Sequence, residues 1–389
     1  MKQIAIFICL VFLIAPLSGC FGASEDDVSN DSTVGNDASS NEGTTDGSTE
    51  NQSSETESPN SETTEPESSP YDVICPDGSN ETIQWGVQTC AEPTVFKASD
   101  VSNETLNLTL EWYRIATQEW GNFGPVEIFI IGEDVEAAKE LEDIFCERHK
   151  ALDEKWNEEW DCANENYQIF SHYPEEGGAA ISTFKRTYID YDFMMMIMSA
   201  KYPGPDEQDY KPVTLHEYFH IFQHSHISDE CTADSRDVCQ RDAKMGGEGK
   251  PWFSEGGAEY MAQSLYAKQD GVPENYLRET MQHKLDMSHE GYNAQNESLD
   301  QLGYDAEVNV YDVGCWFIAY LLHHEGVEAF LNGFYGDLDN LGFDAAFENN
   351  FNATKSEYLA DFDAFFSQPA EDVMLLFPEA SSDNNEETD

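Results

Sequence analysis

"TLHEYFHIFQ" occupies residues 214–223 and sets His216, Glu217 and His220 in a His-Glu-x-x-His pattern. In a helix, positions i and i+4 share one face, so the two imidazoles can point at one metal ion. Glu217 lies one position round, where a general base would deprotonate the attacking water. A catalytic zinc site uses three protein ligands and leaves one position open. The stretch therefore demands a third ligand from elsewhere. Such a pattern can arise by chance in a chain with ten histidines, so its surroundings have to decide.

"PWFSEGGAEYMA" (251–262) supplies the missing pieces. Glu255 and Glu259 are also spaced i, i+4, so they share a face of a second helix. Packed across the first helix, Glu255 becomes the third ligand. Glu259, one turn on, can accept the free N–H of a ligating histidine and fix its tautomer. A Glu pair at this spacing is commonplace on a solvated face, above all in an acidic chain. Here both motifs are set among aromatic and small residues, which places the polar groups inside, where they need partners. Two imidazoles with one carboxylate suit a single Zn2+, although other divalent ions fit the same donors.

Working outward, residues 1–20 read as a secretory signal. Lys2 precedes "IAIFICLVFLIAPL", and "LSGC" ends at Cys20. The apolar run is too short for a comfortable membrane span. Leu-Ser-Gly-Cys resembles the lipobox of prokaryotic lipoproteins, which implies lipidation of Cys20 and anchoring of the mature chain to a membrane outside the cytoplasm. Plain secretion with cleavage elsewhere remains the alternative. Residues 21–70 are mostly Ser, Thr, Asn, Gly, Asp and Glu, with almost no large apolar residue and no Lys or Arg. They cannot bury enough surface to offset their ordering entropy and read as a disordered tether, with a reach of about 40 Å. The expected division continues with a small disulfide-containing segment at 71–125, a main domain at 126–379 and an acidic tail at 380–389.

The formal net charge is −58, from 77 Asp+Glu against 19 Lys+Arg. Phosphate would be repelled, so nucleic acid is excluded as a partner. Of nine cysteines, six fall in close pairs: Cys75 with Cys90, Cys146 with Cys162, and Cys231 with Cys239. Outside the cytoplasm these are disulfide candidates, and the sequence prefers neighbour pairing while leaving other connectivities open. Cys315, within "VGCWFIAYLL", reads as a buried, inert thiol.

Periodicity predicts a helix over 106–121, a strand over 126–132, a helix over 133–152, strands at "GAAISTF" and 187–200, and helices at 213–226 and 254–269. Ser254 is the candidate N-cap of the last. Helical periodicity returns at 311–322, 327–335 and 355–366. The order is a small mixed sheet followed by a helical half, an α+β arrangement. "DFMMMIMSA" admits two readings: a buried core strand, or an edge strand on which an extended substrate pairs. His224 and His226 continue beyond the motif and read as solvated or loop residues. His323 and His324 sit near a helix end, where imidazole suits the dipole.

"HEYFH…WFSEGGAEY" resembles the gluzincin metallopeptidases, especially the aminopeptidase N and glycyl aminopeptidase families. The resemblance covers roughly residues 187–366 and implies a thermolysin-like metallopeptidase catalytic domain acting on peptide or protein substrates. It maps the third zinc ligand onto Glu255 and the supporting carboxylate onto Glu259. "YDVGCWFIAYLLHHEG" (311–326) is similar to the Tyr-x-x-Gly helix of those enzymes, and Tyr311 takes the place of the tyrosine that steadies the oxyanion. Three features depart from the pattern. The interval from His220 to Glu255 is longer and holds the Cys231/Cys239 loop. The upstream Gly-x-Met-Glu-Asn segment that anchors a substrate's N-terminus is missing, as is the large N-terminal β domain. Endo- and aminopeptidase readings therefore both stay open. So do a surface lipoprotein that keeps the fold for binding, and a hydrolase of non-peptide esters or amides.

Overall fold

The computed structural model describes residues 69–185, 190–228, 250–295 and 297–379. Cys20, the tether as far as residue 68, Cys231 and Cys239, and the tail at 380–389 lie outside the described residues.

A hairpin of β1 (Asp72–Ile74) and β2 (Asn80–Thr82) opens the described chain. Its turn uses Gly78 at φ +83°, with the Gly78 N–H donating to the Cys75 carbonyl at 2.9 Å. A disulfide joins Cys75 to Cys90, and a second joins Cys146 to Cys162. Cys315 is a free, buried thiol.

Four strands form the central sheet: β3 (Thr94–Lys97), β4 (Val126–Ile131), β5 (Ala179–Phe184) and β6 (Phe193–Ser199), in the order β3-β4-β6-β5. β3, β4 and β6 run parallel, and β5 is antiparallel to β6. β4 and β6 are buried at every position. That is why both read as near-continuous apolar runs: a strand covered on both faces has no polar side to alternate with. One face packs on helix α2 (Val135–Leu152), where Phe129 meets Phe145 with ring centroids 5.6 Å apart. Glu127 is the one charge inside β4. Its carboxylate accepts from Arg148 at 2.8 Å and pairs with His149 at 3.0 Å.

One open reading is decided here, and two expectations are corrected. Of the two readings of the Met-rich segment the buried core strand holds: β6 lies between β4 and β5, and among the described residues β3 and β5 are the edge strands. Of the expected strand 187–200, residues 187–189 lie outside the described residues, and among the rest strand structure covers Phe193–Ser199. The division at residue 125 cuts through one body. β3 pairs with β4 in register, Val95 with Ile128, and the preceding α1 (Asn103–Trp120) belongs to the same core.

The helical half follows two four-residue helices, α3 (Glu158–Asp161) and α4 (Tyr173–Glu176). α5 (Tyr210–Ser225) packs on α1 through Tyr113 against Tyr218, ring centroids 4.9 Å apart, and Trp120 against Phe219 at 5.0 Å. α6 (Trp252–Ala267), α7 (Tyr276–Ala294) and α8 (Val310–Glu325) complete the layer, and shorter helices close it towards Phe366. Ser254 does not cap α6. The helix begins two residues earlier, after Pro251, whose fixed φ already suits a helical start, and the Ser254 hydroxyl donates back to the Pro251 carbonyl at 3.2 Å.

Candidate metal centre

α5 runs through the interior, and every residue from Thr214 to Ser225 is buried. His216, Glu217 and His220 are 6%, 2% and 4% exposed. α6 crosses α5 and brings Glu255, itself 2% exposed, against both histidines. α6 in turn lies against α8 at backbone contact. A Cβ on Gly256 would stand 2.3 Å from the Gly314 carbonyl carbon, and one on Gly314 would stand 2.3 Å from the Trp252 oxygen. Neither position tolerates a side chain, so the glycine in Tyr311-x-x-Gly314 is a packing requirement. That close crossing carries Tyr311 to the centre, where its ring centroid lies 6.2 Å from that of His216.

The ligand geometry is compact. His216 Nε2 and His220 Nε2 each lie 3.1 Å from Glu255 Oε2 and 3.1 Å from each other. The outer ring nitrogens are occupied. His216 Nδ1 faces Glu259 Oε2 at 3.0 Å, and His220 Nδ1 faces the Gln223 side-chain oxygen at 2.7 Å. Gln223 is held in that sense because its amide nitrogen donates to the Ser254 carbonyl at 2.9 Å and to the Tyr335 hydroxyl at 3.0 Å. Both Nδ1 atoms thus act as donors, which leaves both Nε2 atoms as acceptors. Two imidazole lone pairs and a carboxylate oxygen then converge with nothing but acceptors facing one another. Only a cation or added protons relieve that. Ligands 2.0–2.1 Å from a tetrahedral zinc stand about 3.3 Å apart, close to the observed triangle. The donor set fits a divalent metal of zinc type.

The charge states agree. Burial alone would lower the His216 pKa, but hydrogen bonds to Glu255 and Glu259 and the nearby Glu217 charge raise it to about 10. Burial opposes ionisation of Glu255, yet His220 and His216 hold it far below the usual carboxylate range. Lys284 and His216 do the same for Glu259. Burial pushes Glu217 up to about 6, against the pull of the two histidines. A carboxyl poised there suits a group that must take up and release a proton near neutral pH.

Every residue expected at the centre is brought to it: His216, His220 and Glu255 as one group, Glu259 behind His216, Glu217 within their electrostatic reach, and Tyr311 on the adjoining helix. His224 and His226 stand apart from the metal group. The expectation of solvated or loop residues is corrected for His224, which is buried within α5; His226 lies just past the helix, half-buried between Phe222 and Tyr335. His224 lies in the last turn of α5, and His226 is the residue that ends it.

Several groups escaped the sequence. Lys284 places Nζ 2.8 Å from Glu259 Oε1 and 2.9 Å from Asp312 Oδ1. Gln263 donates to Glu259 Oε1 at 3.0 Å. Tyr304 donates its hydroxyl to Glu255 Oε1 at 2.7 Å. Gln263 and Gln223 could have been found, since each sits one turn from a motif residue. Lys284 and Tyr304 come from elements without any motif, and no sequence signal marks them.

Compared with known proteins, the chain matches no family model, no characterised protein and no solved structure.

Proposed function

We propose that this chain is a zinc-dependent metallopeptidase of gluzincin type, with a thermolysin-like catalytic domain, held outside the cytoplasm through a lipid on Cys20. The observation that carries the reading is the convergence of His216 Nε2, His220 Nε2 and Glu255 Oε2 at 3.1 Å, with both Nδ1 atoms already spoken for. His216, His220 and Glu255 would hold the ion. When bound, it would lower the pKa of water and polarise a peptide carbonyl.

The remaining work falls to the protein. Glu217, buried and titrating at about 6, accepts the proton of the attacking water and delivers it to the leaving amine. Glu259 fixes the orientation of His216 through Nδ1. The Tyr311 hydroxyl is assigned to the developing oxyanion. An extended peptide can pair along β5, an edge strand among the described residues, which lies against α5. The two disulfides and the acidic composition suit an oxidising, saline exterior.

The test is a mixed peptide library incubated with the zinc-loaded protein in high salt, beside Glu217→Gln, with products read by mass spectrometry. The variant keeps its zinc and loses about 10²–10⁴-fold in turnover. Wild-type cleavage by Glu217→Gln would refute the mechanism. Internal cuts mark an endopeptidase, and stepwise loss from the N-terminus an aminopeptidase.

A further inference from the structure

The two oxygens of Glu255 have different partners. Oε2 faces both ligand imidazoles at 3.1 Å. Oε1 accepts the Tyr304 hydroxyl at 2.7 Å. Tyr304 comes from the stretch between the 3-10 turn Leu299–Gln301 and α8, outside every motif read from the sequence. Glu255 is 2% exposed and Tyr304 46%. A buried ligand carboxylate is therefore pinned by a group that reaches it from the solvent side.

A carboxylate can grip a divalent ion with one oxygen or with both. A two-oxygen grip would take the position that a hydrolytic site must leave for water or substrate. A hydrogen bond to an ionised oxygen is short and strong, and it competes directly with that second metal bond. We propose that Tyr304 is a positioning residue that keeps Glu255 a one-oxygen ligand, and so keeps the remaining position open. This rests on the metal reading above. It separates two neighbouring tyrosines, whose ring centroids lie 6.0 Å apart. Tyr304 acts on the ligand, while Tyr311 is assigned to the substrate.

The experiment uses the full chain with cobalt in place of zinc. Visible bands of Co2+ weaken as coordination number rises. Tyr304→Phe retains the ring at a half-exposed position and removes only the hydroxyl. Its cobalt bands are expected to weaken and shift, and kcat of the zinc form to fall about 10–100-fold with KM little changed. Tyr311→Phe is expected to lower kcat while leaving the cobalt bands as in the wild type. Cobalt bands of Tyr304→Phe that superimpose on the wild type would overturn the assignment, even if Glu217-dependent hydrolysis persists. Bands that change equally in both variants would overturn the division between the tyrosines. Altered bands in Tyr304→Phe alone, without any peptide hydrolysis, would uphold it and remove only the peptidase reading.

Discussion

Lys284→Met tests the charge arrangement behind the metal centre. Lys284 lies on α7, and its side chain is 12% exposed. Its ammonium bridges Glu259 Oε1 at 2.8 Å and Asp312 Oδ1 at 2.9 Å, on side chains that are themselves 16% and 12% exposed. Burial works against its charge, but the two carboxylates raise its pKa well above the ordinary value, so it stays charged. Methionine keeps much of the volume and deletes the ammonium. Asp312, buried, and Glu259, partly buried, then lose the cation they share. Breaking a buried pair by removing one partner costs about 3–5 kcal/mol. Against a total stability of about 5–15 kcal/mol, that is a large share. In urea it moves the unfolding midpoint down by about 1–2 M. A second consequence follows from Glu259, which also orients His216. Loss of such support weakens zinc by about 10–100-fold. The assay is urea unfolding of the zinc-saturated variant, followed by competition against a chromophoric chelator. Lys268→Met serves as control. Its pair with Glu119 spans 3.6 Å between side chains 63% and 44% exposed. Removing it should cost under about 1 kcal/mol. If Lys284→Met unfolded within about 1 kcal/mol of the wild type, with unchanged zinc affinity, the reasoning from buried charge would be wrong.

Zinc uptake should release about one proton at pH 7, since His216 titrates at about 10 in the metal-free protein and must be neutral to bind. Affinity then falls about tenfold for each pH unit below that value, which calorimetry in buffers of different ionisation enthalpy would measure. The same shift stabilises the metal-free fold. The contribution is present in full below about pH 6.5, the ordinary histidine value, and is lost as pH rises through about 10. Melting curves that are flat across this window would contradict the pairing of His216 with the two glutamates. Gly314→Ala should cost about 3 kcal/mol or more and lower turnover, because its Cβ would meet the Trp252 oxygen at 2.3 Å and force α6 from α8. A thermal midpoint equal to the wild type would show that the crossing is looser than described.

Legibility followed the range of the interaction. His216, Glu217, His220, Glu255 and Glu259 were readable because helical spacing is local and puts i and i+4 on one face. β4 was readable from its apolar run. The β6 run was readable as buried, but its place in the sheet depends on which strand pairs beside it, and that is set by distant β5. The helix start at Trp252 was missed because a serine signal was weighed above Pro251. Lys284 could not be found at all. Its role exists only when α7 is laid between Glu259 and Asp312, from two other helices. Tyr304 shares that fate, since the loop that carries it has no periodicity to read.

The two disulfides join Cys75 to Cys90 and Cys146 to Cys162, both before the last strand of the sheet. The metal triad ties α5 to α6, well after it. Among the described residues, the covalent cross-links therefore lie in the first part of the chain, and the candidate metal ligands lie in the second. A reductant and a chelator address different ends of the same polypeptide. If the site holds zinc, a chelator would act where α5 meets α6, whereas a reductant would act beside the β1–β2 hairpin and at α2.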